Sequence, residues 1–133
     1  MKFGIVAAKF NQEIVDKLLE GALNELEGRG SVEVVRVPGA FEIPLACRNL
    51  INKRSFDGLV ALGAVIRGDT YHFEVVSDSC AQGVMRVSLD SGIPIGFGVI
   101  TTENEEQALE RAGGSHGNKG QDAARAMLEM LNN

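Results

Sequence analysis

A chain of 133 residues, 44% hydrophobic and 23% charged, has material for one core but no length for a second, so residues 1–133 are expected to form a single domain. Its net charge of −5, with no basic stripe, argues against nucleic acid as a partner, and its apolar runs fall short of the roughly 20 residues of a membrane span. Two cysteines and two histidines without ligand spacing give no metal site, and a chain that enters a strand at once shows no secretory signal. The expectation is a cytoplasmic protein whose Cys47 and Cys80 are reduced core residues.

Phe3–Ala8 is the first predicted strand, followed by Lys9-Phe10-Asn11 and a helix with Ile14, Val15, Leu18, Leu19, Ala22, Leu23 and Leu26 on one stripe. Val32–Val37 is the second strand, and the segment Pro38-Gly39-Ala40-Phe41-Glu42 leads into a second helix from about Phe41 to Arg54, with Pro44 tolerated in its first turn. Gly58–Ile66 is the third strand. A Gly68-Asp69-Thr70 turn separates it from a helix carrying Phe73, Val76, Cys80, Val84 and Val87 on one face. Pro94–Thr101 is the fourth strand. Thr102 with Glu105 reads as a capping box opening a fourth helix that ends at Gly113-Gly114, and a last helix spans about Asn118 to Leu131. Strands this continuously apolar are expected to be buried on both faces of a parallel sheet. The alternation predicts an α/β protein, a three-layer α/β/α sandwich around a four-stranded parallel sheet with flavodoxin-like topology.

Ligands of open α/β sheets bind beyond the carboxyl ends of the strands, which selects the four loops after them: Lys9 to Asn11, Pro38 to Glu42, Ile66 to His72, and Phe97 to Glu103. Phe10 reads either as a staple ahead of an Asn11 N-cap or as an aromatic platform for a flat heterocycle with the Asn11 amide at its edge. Glu42 is either an acid favoured near a helix start or, with the backbone of Ala40 and Phe41, a set of hydrogen-bonding groups for that heterocycle. Gly68, Asp69 and Thr70 precede a helix whose first N–H groups lack intrahelical partners, a seat for phosphate. The same helix end disfavours an added positive charge, so His72 is read as a neutral imidazole able to exchange protons. Arg111, in a last helical turn, is where the dipole welcomes a cation, whereas Lys119 opens a helix, where a cation gains nothing; Lys119 is the stronger functional candidate. Between them lies the glycine-rich Gly113-Gly114-Ser115-His116-Gly117-Asn118, in which His116 reads as a loop residue.

Taken together, Lys9 to Asn11, Pro38 to Pro44, Gly63 to Glu74, Gly98 to Asn104, and Arg111 through Gly120 resemble the lumazine synthase family of riboflavin biosynthesis, in the same order and spacing across nearly the whole chain. The resemblance implies a transferase that condenses 5-amino-6-(D-ribitylamino)uracil with 3,4-dihydroxy-2-butanone 4-phosphate, without cofactor or metal. It implies that Phe10 stacks on the pyrimidine, with Asn11, Ala40, Phe41 and Glu42 along ring and ribityl chain. Ala64, Val65 and Ile66 would line the same pocket. Gly68, Asp69, Thr70 and Arg111 would hold the phosphate, Phe97 would close over the heterocycle, Lys119 would lie near the reacting groups, and His72 would be the general acid and base.

Family members form homopentamers, some of which build icosahedral 60-subunit shells, so the resemblance also implies a site between subunits, with Phe97, Arg111 and Lys119 supplied by a neighbour. Riboflavin synthase is an implied further partner. The chain starts almost at its first strand, without the N-terminal extension that adds a strand to a neighbour's sheet, and shows no insertion after Arg111; pentamer and shell both stay open. An archaeal-type riboflavin synthase is the nearest alternative. A flavodoxin-type flavin carrier would need a hydroxyl-rich loop after the first strand, and a receiver module would need aspartates where Ala7-Ala8-Lys9 stands.

Overall fold

Strand β1 (Lys2–Ala8) is the spine of the molecule: every residue from Phe3 to Ala8 is buried, as its unbroken apolar run requires. A computed structural model describes residues 1–53 and 55–132. β1 pairs in parallel with β2 (Ser31–Val37) on one side and with β3 (Gly58–Ile66) on the other, and β3 pairs in parallel with β4 (Ile95–Thr102). The strand order is therefore β2-β1-β3-β4, the predicted four-stranded parallel sheet.

Helices cover both faces. On one, α1 (Gln12–Leu26), α4 (Glu105–Glu110) and α5 (Lys119–Leu131) close over Phe3, Ile5, Val60 and Leu62. On the other, α2 (Ile43–Lys53) and α3 (His72–Ser91) close over Val6, Leu59 and Ala61. Cys47 and Cys80 are free thiols buried in this second cluster, where desolvation pushes Cys47 up to about 12 and Cys80 up to about 11, as expected for inert core residues. Gly96 and Gly120 let helices approach closely: a Cβ at Gly96 would stand 2.0 Å from the Ala123 carbonyl oxygen, and one at Gly120 2.0 Å from that of Leu18. No described helix is long and apolar enough to cross a membrane.

Four details depart from the expectation. β2 is an edge strand and half exposed, because among the described residues only β1 flanks it. The second helix begins at Ile43, after a single 3₁₀ turn at Ala40–Glu42; its expected last residue, Arg54, lies outside the described residues. Thr102 does not cap α4. It is the last rung of β4, opposite Ile66, and its hydroxyl donates to the Asn104 carbonyl at 2.9 Å, while Asn104 takes the cap by accepting from the Gln107 N–H at 2.8 Å. α4 also stops at Glu110, short of Gly113-Gly114. A small hairpin, β5 (Ala112–Gly114) with β6 (Gly117–Asn118), follows, and Gly113 and Gly117 adopt the left-handed φ values of 104° and 80° that make it.

Candidate active site

Between β1 and β3 the connections leave the sheet in opposite directions: β1 feeds α1 on one face, β3 feeds α3 on the other. Such a switch point opens a crevice at the carboxyl rim. Here it is a cavity of about 520 Å³.

The walls come from three of the four loops selected by the strand-end rule. Ala8 and Phe10 form the β1 side, held by hydrogen bonds from the Lys9 N–H to the Val37 carbonyl at 2.7 Å and from the Phe10 N–H to the Pro38 carbonyl at 3.1 Å. Pro38 to Glu42 form the β2 side, where the Glu42 N–H donates to the Gly39 carbonyl at 3.2 Å and closes the 3₁₀ turn. Ala64, Val65 and Ile66 form the floor, and Gly68, Thr70, His72, Phe73 and Val76 the far wall. Phe10 is 71% exposed and Phe41 56%. Two large aromatic rings facing solvent around a cavity give it flat apolar surfaces for a planar ligand.

Asn11 stands at the N-cap of α1, as one of its readings has it, and its carbonyl accepts from the Ile14 and Val15 N–H groups at 3.1 Å. Its φ of 59° is left-handed, a conformation asparagine tolerates, and its side chain does not cap α1. The amide instead donates to the Ala64 carbonyl at 2.8 Å, lashing the β1 loop to the end of β3. Asn11 is a strut behind the cavity and does not line it.

His72 opens α3, as the sequence indicates. Its backbone N–H donates weakly, at 3.4 Å, to the Thr70 hydroxyl, and the Tyr71 N-cap supplies no side-chain acceptor. Donors at this helix start therefore remain available beside Gly68 and Thr70, the geometry that accommodates an anion. Asp69 is exposed and does not line the cavity.

Phe97, Arg111 and Lys119 are not brought to this cavity by their own chain. Phe97 sits low on β4, opposite Ala61 rather than at the strand's carboxyl end, and is 43% exposed. Arg111 turns back on α4, donating to the Gln107 carbonyl at 3.0 Å, the pairing a helix C-terminus favours. Lys119 lies 3.6 Å from Asp122 on α5. Both belong to the α4–α5 layer, on the α1 side of the sheet, whereas Ala8 and Ala40 of the cavity belong to the α2–α3 side.

Sequence reasoning missed Arg67. Its guanidinium donates through Nε to Glu103 at 2.8 Å, through Nη1 to Glu74, and lies over the Phe73 ring 4.5 Å from the centroid. The bond from Arg67 holds the Glu74 carboxyl below the usual carboxylate range. An acid in the first turn of α3, seven residues after an arginine at a strand end, hints at a pair across the turn; Glu103, 36 residues away, carries no local signal.

A doubly wound α/β sandwich with a half-open, aromatic-rimmed cavity at its switch point is an enzyme scaffold for small molecules. The sequence profile described as 6,7-dimethyl-8-ribityllumazine synthase matches residues 1–133. The chain belongs to this family and is a transferase of riboflavin biosynthesis. A 6,7-dimethyl-8-ribityllumazine synthase of Bdellovibrio bacteriovorus is 56% identical over 133 residues, covering 98% of this chain and 74% of that protein. Synthases of the same name from Nitratidesulfovibrio vulgaris and Clostridium kluyveri are 50% and 51% identical, covering 98% and 99% of this chain and 86% and 88% of theirs. These relatives do not favour the riboflavin synthase or flavin-carrier readings.

Proposed function

We propose that the rim cavity binds 5-amino-6-(D-ribitylamino)uracil and 3,4-dihydroxy-2-butanone 4-phosphate and condenses them to 6,7-dimethyl-8-ribityllumazine, releasing phosphate and water. One observation carries the reading: aromatic platforms, an acid, open helix-start donors and an imidazole share a single cavity.

Phe10 stacks on the pyrimidine, and Glu42 with the backbone of Ala40 and Phe41 pairs with its polar edge and ribityl hydroxyls. Gly68 and Thr70 seat the phosphate, with Asp69 shaping the turn. The pyrimidine amine attacks the ketone and the carbinolamine loses water to an imine. Phosphate then leaves, and the second nitrogen closes the ring with loss of water. Every step moves protons and none moves electrons between partners. His72, between phosphate seat and cavity floor, relays those protons, a contribution on the order of 10²–10⁴-fold. Alignment of two substrates in one slot contributes several kcal/mol more.

The full site forms between subunits of a homo-oligomer, a pentamer or a 60-subunit shell, in which Phe97, Arg111 and Lys119 of one subunit complete the cavity of the next. What supports this is the unpartnered edge of β2 and the exposed apolar residues of α3, where Met85 is 60% and Leu89 74% exposed. The protein works in the cytoplasm and passes lumazine to riboflavin synthase.

Mixing the two substrates with the protein tests the reading. Lumazine fluorescence is expected to rise far above the uncatalysed rate, with one phosphate released per lumazine. A rate equal to background, or riboflavin formed from lumazine alone, would overturn it. Mass measurement in solution separates monomer, pentamer and shell.

A further inference from the structure

The cluster around Arg67 lies outside the cavity yet touches its far wall through Phe73. Three chain segments meet on one guanidinium: Glu74 and Phe73 from the first turn of α3, Glu103 from the loop after β4, and Arg67 itself from the end of β3. The Arg67 N–H adds a backbone bond to the Thr102 carbonyl at 2.9 Å, which ties the same two strand ends together. Between these fixed points runs the short exposed turn from Gly68 to Tyr71.

We propose that Arg67 is a positioning residue for the phosphorylated substrate: clamped by Glu74 and Glu103 and stacked on Phe73, it holds the Gly68–Thr70 seat and the start of α3 at a fixed distance from the cavity floor. The proposal rests on the reading that this seat takes the phosphate.

Two physical facts argue for a clamp and against a surface ion pair of no consequence. A guanidinium that grips two carboxylates and stacks on a ring has its fork and its face engaged at once, which leaves it one orientation. The other oxygen of Glu74, Oε2, is buried without a hydrogen-bond partner, so Arg67 is the main support of its carboxylate, ahead of the residue's own backbone N–H. Without Arg67 a charge would be stranded in the first turn of α3, and the turn would shift to rehydrate it. A displacement of about 1 Å in a substrate-positioning group is enough to cost about a hundredfold in rate. Among the described residues no hydrogen bond joins Arg67, Glu74 or Glu103 to Phe10, Ala40 or Phe41, so the pyrimidine wall is expected to keep its place.

Steady-state kinetics of Arg67→Ala, with each substrate varied in turn, tests the clamp. The KM for the butanone phosphate and the inhibition constant of inorganic phosphate are expected to rise about tenfold or more, with the KM for the pyrimidine unchanged. A role in stability alone would lower the amount of active enzyme and leave both KM values where they were; that result overturns the proposal, as does an equal rise in both. Arg67→Lys keeps the charge but loses fork and stacking, so it is expected to behave like Arg67→Ala, and full rescue by lysine overturns the two-armed clamp. If Arg67→Ala fails to fold, Glu103→Ala removes one arm only and is expected to shift the same two constants to a smaller extent; no shift sinks the idea. Wild-type protein that neither makes lumazine nor responds to inorganic phosphate would count against the proposed function, whereas wild-type protein that does both, matched by its Arg67 variants, would count against the clamp alone.

Discussion

The Asn11 amide donates to the Ala64 carbonyl at 2.8 Å across 53 residues of sequence, joining the loop that carries Phe10 to the strand end that floors the cavity. Asn11→Asp keeps a residue that tolerates the left-handed backbone but replaces the donor with a carboxylate facing a carbonyl. Stability is expected to fall by about 1–3 kcal/mol, the cost of leaving a part-buried acceptor unpaired. The KM for the pyrimidine is expected to rise as the Phe10 wall loosens. Denaturant unfolding and substrate titration check both, and an unchanged midpoint with an unchanged KM would remove Asn11 from the architecture of the site.

His72→Ala is expected to slow lumazine formation by about 10²-fold, and at most about 10⁴-fold, without abolishing it, since general acid–base catalysis accounts for that range and alignment of the substrates does not depend on the imidazole. The KM values are expected to stay within a few-fold of wild type. Single-turnover measurements report the chemical step directly. A variant that binds both substrates and shows no rate above background would place His72 ahead of alignment.

Much of the fold was legible because burial on two faces leaves a plain mark: the apolar runs Phe3–Ala8 and Gly58–Ile66 became β1 and β3. The edge position of β2 left a fainter mark, the charges of Glu33 and Arg36 within Val32–Val37, which the central runs lack; the pairing order then exposes the strand. Gly113-Gly114 looked like a helix end and became a hairpin, because glycine serves left-handed positions in both and local sequence does not separate them. Of the residues that line the cavity, Phe10, Ala40 to Glu42, Ile66, Thr70 and His72 lie in loops selected by the rule that ligands sit at carboxyl strand ends, while Ala64 and Val65 entered through the family resemblance. The strut at Asn11 and the clamp at Arg67 depend on contacts 53 and 36 residues apart, which no local spacing encodes.

Close helix packing gives a third expectation. Gly96 faces the Ala123 carbonyl so closely that a Cβ would lie 2.0 Å from its oxygen. Backbone, unlike a side-chain tip, cannot swing away, so Gly96→Ala must push α5 off the sheet. A loss of about 1–3 kcal/mol or more is expected. Lys119 opens α5 and Phe97 follows Gly96, so in the proposed intersubunit site activity per folded molecule is expected to fall as well. A midpoint of unfolding equal to wild type would show that α5 is free to move.

The pH dependence of stability follows from Glu25, which links α1 to α5 through Gln121 at 3.2 Å and Arg125 at 3.3 Å. Burial alone would raise its carboxyl, but the bonds from Gln121 and Arg125 and the nearby positive charges outweigh it, and the group sits below its ordinary value of 4.5. A carboxyl depressed in the folded state binds its proton more readily when unfolded. Its stabilisation is therefore complete above about pH 4.5 and is lost as pH falls through the lower, folded value. Glu25→Gln removes that contribution at neutral pH, where it is expected to cost no more than about 1 kcal/mol, as for other partly exposed pairs. Unfolding curves of wild type and variant should accordingly stand apart at pH 7 and converge below pH 4.5. A gap that stays constant through acid pH would mean that the side chain acts by packing, and that its charge contributes nothing to holding α1 against α5.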